Sequence, residues 1–597
     1  MRRLILTGLI GCLLAPCALA TEGDTVMRAM RDEMQRSMKE LRLEELERPY
    51  FVSYAVEESA VTHASASFGG LLSSGVDRQR WLTVEVRVGD YDLDNTNFLT
   101  FPRFGGGSML RSFGGRTSLP FEDDYQEIRR QIWLATDGAY KDALENLASK
   151  KAALQNKTRS EVIPDFSREE PVTVTDVTLP VEVDTTRAEA LVRELSALFR
   201  EMDSIFTSQV EVRASTSRTR FLNSEGSTFT RVLHSAGLTA TAATQAVDGL
   251  PLSDFVSAYG RDMEDLPGRE ELAAAIREMG ARLDRLRDAP LLERYNGPVL
   301  FEGQAAAELF SQVLAPGLLA ARKPVTGDPR MAGFLSATAG KSLEDKIGAR
   351  ILPRFLRIED DPTLESHGDR PLVGGYAVDD QGVKAAPTKL VERGILKTLL
   401  ADRTPIQGIE KSTGNRRGRS VMPSNLIVST DDGMTHDELK AELLLLVQDR
   451  EAEFGILVRR MGNPKIGSSS NPMMIMMSMG RSGDGSKVEG LIEAYKVYPD
   501  GREELLRNVE ISGISPASFK DIVAASDTAE VYTSPFEGSS TGTGFFFSPG
   551  SGAALVSWVV PSLLFEDMTL KKPGGEIPNP PVADHPFFDR PKGSNSN

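Results

Sequence analysis

At 597 residues the chain exceeds what one compact core accommodates, and 40% hydrophobic with 26% charged residues excludes a disordered, collagen-like or polytopic membrane protein. Its 69 basic and 85 acidic side chains leave a net charge of −16, which argues against nucleic acid as a partner. The two cysteines, Cys12 and Cys17, both fall in the first twenty residues.

Those twenty residues read as a secretory signal. Arg2 and Arg3 give a positive start, Leu4 to Leu14 an apolar stretch, and Ala18-Leu19-Ala20 the small residues that precede cleavage, expected after Ala20. The run is too short to span a bilayer. Leu9-Ile10-Gly11-Cys12 has the form of a lipoprotein box, but the apolar stretch before it is unusually short, so lipidation at Cys12 is not expected. The expected location is periplasmic or secreted. The mature chain then has no thiol, and so neither a disulfide nor a thiolate metal ligand.

Residues 25 to 46 place Met27, Met30, Met34 and Leu41 at helical spacing, ended by Pro49. Tyr50–Glu58 and Trp81–Val88 alternate as half-buried strands, with Gly/Ser-rich loops expected at Ser67–Gly75 and Phe104–Gly115. Helices are expected over Asp123–Gln155 and Arg187–Met202. Strands follow at Gln209–Ala214, Thr219–Leu222 and Thr228–Leu233, the last two joined by a turn at Asn223-Ser224-Glu225-Gly226. After a helix over Arg269–Arg287, the cluster Tyr295-Asn296-Gly297-Pro298 reads as a turn and a domain boundary. Beyond it come a strand at Val299–Phe301, a helix over Gln304–Arg322, and two strands within Val383–Leu400 around Arg393-Gly394. A helix with a Thr435/Glu438 capping box follows. Val488–Tyr498 and Arg502–Ile514 flank a Pro499-Asp500-Gly501 turn, and Ala553–Phe565 is a buried strand. The organisation is thus a signal at 1–20, an N-terminal α/β domain at 21–294, a β-rich C-terminal domain at 295–570 and a Pro-rich disordered tail at 571–597, α+β overall.

Generic catalytic motifs fail on inspection. Gly340-Lys341-Ser342 lacks the upstream glycine of a phosphate loop, where Leu335 stands. Gly538-Ser539-Ser540-Thr541-Gly542 lacks the helix that a nucleophile elbow requires. His63, His234, His367, His436 and His585 are scattered singly, with no metal-ligand spacing. The methionines between Met473 and Met479 suit an adaptable apolar or peptide-contacting surface better than a Cu(I) site. The loop Lys411-Ser412-Thr413-Gly414-Asn415-Arg416-Arg417-Gly418-Arg419 offers four cations that could receive a peptide carboxylate or an acidic partner face; a solvated loop fits its composition equally well. From this loop the candidate binding residues are Lys411, Ser412, Asn415, Arg416 and Arg417.

Several segments in order, Ile358-Glu359-Asp360-Asp361-Pro362, Asp379-Asp380-Gln381-Gly382-Val383, TKLVERGILK at 388–397, KSTGNRRG at 411–418 and Val509–Gly513, resemble the C-terminal domain of the TldD/PmbA (TldD/TldE) family. Asn223-Ser224-Glu225-Gly226 resembles the strand-turn signature of its N-terminal domain. The resemblance implies a two-domain fold whose TldD-type member is a zinc metallopeptidase acting on unfolded or modified peptides, paired with a metal-free TldE/PmbA-type member. In the catalytic type an HExxxH helix and a later cysteine hold zinc. Here the corresponding helix is expected to begin at Phe301, with Glu302 and Ala307 in place of the histidines and Gly303 in place of the base. Glu302 and Glu308 lie about 120° apart around a helix and read as ordinary helix residues. The expectation is an exported, non-catalytic partner of a zinc-bearing TldD-type homologue, with no cofactor of its own. The alternatives are a divergent peptidase with an unrecognised site, or a stand-alone periplasmic peptide-binding module.

Overall fold

The computed structural model describes residues 23–43, 46–99, 116–155, 163–180, 183–327, 342–466, 488–538 and 553–574. The signal segment with Cys12 and Cys17, the 104–115 loop, Gly340-Lys341, Ser539–Gly542, the 473–479 methionines, His585 and the tail from 575 lie outside the described residues.

The N-terminal half contains α1 (Thr25–Glu40), β1 (Pro49–Ser67), β2 (Gly70–Val88), β3 (Arg116–Ser118), α2 (Tyr125–Gln155), β4 (Thr173–Thr175), α3 (Thr185–Ala197), β5 (Thr207–Asn223), β6 (Thr228–Gln245), β7 (Pro251–Gly260) and α4 (Arg269–Asp288). Its seven strands run in the order β3-β2-β1-β5-β6, with β4 and β7 both paired to β6. Even-numbered side chains of β1 point to one face, as the period of two requires. At one end of that face Val52, Tyr54 and Val56 receive Met27, Met30, Ile128 and Ile132 of α1 and α2. At the other end Ala64 and Ala66, with Val210 and Leu238, receive Val192 and Ile276 of α3 and α4.

The second half comprises β8 (Arg294–Phe301), α5 (Gly303–Leu309), β9 (Leu356–Asp360), β10 (Thr388–Glu392), β11 (Ile395–Leu396), β12 (Asn425–Thr430), α6 (His436–Asp449), β13 (Gly455–Met461), β14 (Leu491–Val497), β15 (Glu503–Leu506), β16 (Ile522–Glu537) and β17 (Ala553–Lys571). Its twelve-stranded sheet runs β11-β10-β9-β12-β17-β8-β13-β14-β15, with β16 and the short strand 510–512 also on β17 and the short strand 433–434 on β16. Leu439 and Leu443 of α6 cover Leu300, Leu457 and Leu564 on one face, while α5 and its continuation are part of the larger core on the other. The capping box forms as expected: Thr435 and Glu438 each bond the other's backbone N–H.

Several sequence expectations are corrected. The expected loop at Ser67–Gly75 is a two-residue turn, Phe68-Gly69, both left-handed, after which Gly70–Gly75 pairs with β1. Left-handed pairs of this kind match strand twist, so the ladder begins at once despite the small residues. Gln209–Ala214 and Thr219–Leu222 belong to one uninterrupted strand, and β7 gave no clear sequence signal. The Tyr295–Pro298 cluster is not a turn but part of the central strand β8, where Gly297 opposes Met568 and Val299 opposes Phe565. Pro298 falls at a register irregularity, the position in a sheet that tolerates a missing donor. The expected helix over Gln304–Arg322 closes after Leu309 into a wide π turn (Phe310–Leu314) and a 3-10 turn, with Pro316 unable to donate. Helix α1 stops at Glu40, six residues early, where Leu41 turns extended. At the other end β17 runs to Lys571, which pairs with Arg294 and Glu510 and so belongs to the sheet rather than the tail.

Candidate functional site

The helix on which the resemblance places a metal site starts two residues later than expected. Phe301 ends β8, Glu302 has extended backbone, and α5 opens at Gly303 with φ of +48°. The left-handed φ favours glycine there, and a Cβ would stand 2.8 Å from Glu530 Oε2 and push that side chain aside. Ala307 is buried and offers only a methyl group.

The two glutamates are not ordinary helix residues. Glu302 turns toward α6 and β13, with His436 Nδ1 at 3.1 Å and Arg459 Nε at 3.5 Å. Burial pushes its carboxyl up, opposed by the neighbouring His436 and Arg459. Glu308 is fully buried and accepts hydrogen bonds from Tyr532 Oη (2.6 Å), Asn463 Nδ2 (2.6 Å), Gln312 Nε2 (2.8 Å) and Ser311 Oγ (3.4 Å). Burial raises its carboxyl too, countered by those four neutral donors. They fill its acceptor sites and tie α5 to the end of β13 and to β16. As expected, the two carboxyls face different ways.

Asn463 also lines a cleft of about 590 Å³ between the halves of the molecule. The ends of β5, β6 and β7 form one wall; residues 462–466, 488–492 and 508–510 form the other. Sequence reasoning missed this cleft because its walls meet only through long-range docking.

The segments that carry the family resemblance converge elsewhere. Asp360 accepts from Ser424 N, Ser424 Oγ and Asn415 Nδ2, and its carboxyl is pushed up to about 6 by burial. Asp379 accepts three backbone amides, from Gln381, Val383 and Arg416, and burial holds it at about 7. Asp380 pairs with Arg231 of β6, whose Nη1 also donates to Val378 O at 2.7 Å. Glu225, in the N-terminal turn, forms a forked pair with Arg403 at 2.6 and 2.9 Å. Asp380 and Glu225 dock one half on the other, while Asp360 and Asp379 tie segments of the C-terminal half together.

The cationic loop is therefore not an open anion receptor. Asn415 is buried on Asp360; Arg416 pairs with Asp402; Arg417 donates to Pro423 O and Leu555 O and lies over the Tyr376 ring. Ser412 donates its amide to Glu169 Oε1, and Lys411 is exposed. Local composition could not distinguish a receptor from a loop in which two of the four cations, Arg416 and Arg417, are spent internally.

Two docked α/β halves, the second carrying the segments of the family resemblance, form a metallopeptidase-related protein. Residues 294–572 match the PmbA/TldA metallopeptidase C-terminal domain. A metalloprotease of Methanothermobacter thermautotrophicus is 27% identical over 231 residues, 36% of this chain and 43% of that protein. One of Methanocaldococcus jannaschii is 32% identical over 108 residues, 16% and 23% of the two lengths. The chain spans less than half the length of either relative it matches. TldE from Thermococcus kodakarensis has the same fold, with a TM-score of 0.53 at 16% identity, over 91% of this chain and 99% of that one. So does a protein described as a modulator of a DNA gyrase from Thermotoga maritima, with a TM-score of 0.53 at 16% identity over 87% and 96%. The chain is a member of the TldD/PmbA family.

Zinc, the metal that the resemblance implies, does not fit the residues of this helix. Glu302 is engaged by His436 and Arg459, Gly303 has no side chain to act as a base, and Ala307 has no donor atom. Among the described residues no three His, Cys, Asp or Glu side chains gather closely enough to share an ion. No hydrolytic step through zinc is derived from this chain.

Proposed function

We propose that this protein is an exported, non-catalytic member of its family that pairs with a zinc-bearing TldD-type chain and helps hold unfolded or modified peptides for that partner to cut. The observation that carries this reading is the start of α5. Zinc hydrolysis needs several fixed ligands and a base beside the bound water. Here Glu302 faces His436 and Arg459, Gly303 sits in a left-handed conformation against Glu530, and Ala307 is packed in the core. Four changes would be needed to restore the site: at 302, 303 and 307, and at the position of the later cysteine. Export rests on the charged start, apolar stretch and Ala18-Leu19-Ala20 of the first twenty residues.

The chain is expressed with its signal segment, alone and together with a TldD-type homologue from the same source, and zinc content and cleavage of an unfolded protein are measured. Alone, it is expected to carry no stoichiometric zinc and to show no chelator-sensitive cleavage. With the homologue it should co-purify, and both properties should appear. Stoichiometric zinc or chelator-sensitive cleavage in the single chain would overturn the reading. A mature N-terminus other than Thr21 by mass spectrometry would remove the export part alone.

A further inference from the structure

The geometry points to a binding site for a cationic group in the cleft between the two halves: a guanidinium or alkylammonium carried by a peptide. This inference rests on the peptide-handling reading above. The cleft's volume, about 590 Å³, is that of a pocket able to enclose a few residues of extended chain. Its charged lining side chains are Asp254, Glu489 and Glu510, with no Lys, Arg or His among the lining residues. Asp254 is neutralised by Arg282 at 2.6 Å and Arg460 at 3.4 Å. Glu489 and Glu510 have no ion-pair partner among the described residues, so the cleft carries uncompensated negative charge.

A second, independent observation comes from neutral groups. Ser208, on the wall formed by β5, is 8% exposed, and its buried hydroxyl has no hydrogen-bond partner. Across the cleft Asn508 donates through Nδ2 to Pro251 O, while its buried Oδ1 is unpartnered. An unmade hydrogen bond on a buried polar atom is costly, and a donor-rich ligand would recover that cost. Both atoms can accept, and an ammonium or guanidinium offers only donors. Leu252, Phe255, Ile466 and Leu491 line the same space and suit the methylene stem that carries such a group. An anionic or purely apolar ligand would leave these acceptors unanswered.

The test is fluorescence anisotropy on the full chain with three dye-labelled unfolded nonapeptides. The first is N-acetylated with a central Arg, the second N-acetylated with a central norleucine, and the third has the norleucine sequence with a free amino terminus. At least one cationic peptide should bind about tenfold tighter than the neutral one, since charge-assisted hydrogen bonds are the strong ones; which one does so identifies the source of the charge. The Glu489→Gln/Glu510→Gln variant should abolish that preference while its urea midpoint stays at the wild-type value. Ser208→Ala should weaken the cationic peptide a few-fold and spare the neutral one. Equal binding of all three, or a preference that survives in the double variant, overturns the inference and leaves peptide handling standing. Binding of none overturns both.

Discussion

The forked pair between Glu225 and Arg403 should be the main polar latch between the two halves. Arg403 is 1% exposed, and its guanidinium lies 3.8 Å above the Phe166 ring with Phe51 on its flank. Two of its N–H groups reach Glu225, and Nη2 also reaches Ser167 O at 2.5 Å. In Glu225→Gln one acceptor is replaced by an NH₂ that faces the guanidinium, leaving a buried cation with two neutral carbonyl acceptors, the Gln amide and Ser167 O, and two ring faces. Removing one partner of a buried pair costs about 3–5 kcal/mol. Glu225 keeps 18% of its exposure, so the lower end, about 3 kcal/mol, is expected. Urea titration with tryptophan fluorescence provides the assay, because Trp558 lies in the C-terminal core while Trp81 and Trp133 belong to the N-terminal half. The variant should shift the midpoint downward, with the halves unfolding more independently. Adding Arg403→Met, which puts an apolar chain between Phe51 and Phe166, should restore most of the loss, as apolar replacements of buried ion pairs often do. A change under about 0.5 kcal/mol in the single variant, the range of ordinary surface substitutions, would refute the latch. So would a double variant no better than the single one.

Asp379, held at about 7 by burial, binds its proton more tightly when folded than unfolded. Its protonation therefore stabilises the fold fully below the usual carboxylate range, and that contribution is lost as pH rises through about 7. The stability advantage of wild type over Asp379→Asn, read as urea midpoints, should shrink between about pH 5 and 8; an advantage that grows would contradict this. Gly394→Ala should cost about 2 kcal/mol or more, because φ is +73° and the added Cβ would stand 2.1 Å from Leu352 O; a loss near zero would show that the turn can shift. Glu308→Gln should cost about 1–3 kcal/mol, since an NH₂ would meet donors now bound by the second oxygen, and an unchanged midpoint would show that water replaces it.

Local patterns made much of the fold legible. Met27, Met30 and Met34 mark the buried stripe of α1, Arg393-Gly394 marks the turn from β10 to β11, and Thr435 with Glu438 caps α6. Expectations failed where tertiary pairing overrode composition. Ser67–Gly75 looks like a loop, yet a long ladder to β1 makes most of it strand; Tyr295–Pro298 looks like a turn, yet pairing with Met568–Leu570 makes it the start of β8. At the candidate site the missing histidines were readable directly, as was the divergence of Glu302 and Glu308. The burial of Glu308 was not, because Tyr532 and Asn463 lie more than 150 residues away.

The contrast between α5 and the signature segments has a physical basis. Asp360 and Asp379 each collect three hydrogen bonds in the interior, most of them from backbone amides that no substitution of a neighbour can remove. Replacing either carboxylate orphans donors at about 1–3 kcal/mol apiece, so these residues are pinned by the fold whatever the protein does. A zinc ligand is pinned only by the metal. Ala307 packs into the core and Gly303 lies against Glu530, so the packing of α5 is complete without a metal. Resemblance through the signature therefore reports architecture and domain docking, while the state of the helix after β8 has to be read separately to decide whether that architecture can cut a peptide or only help to hold one.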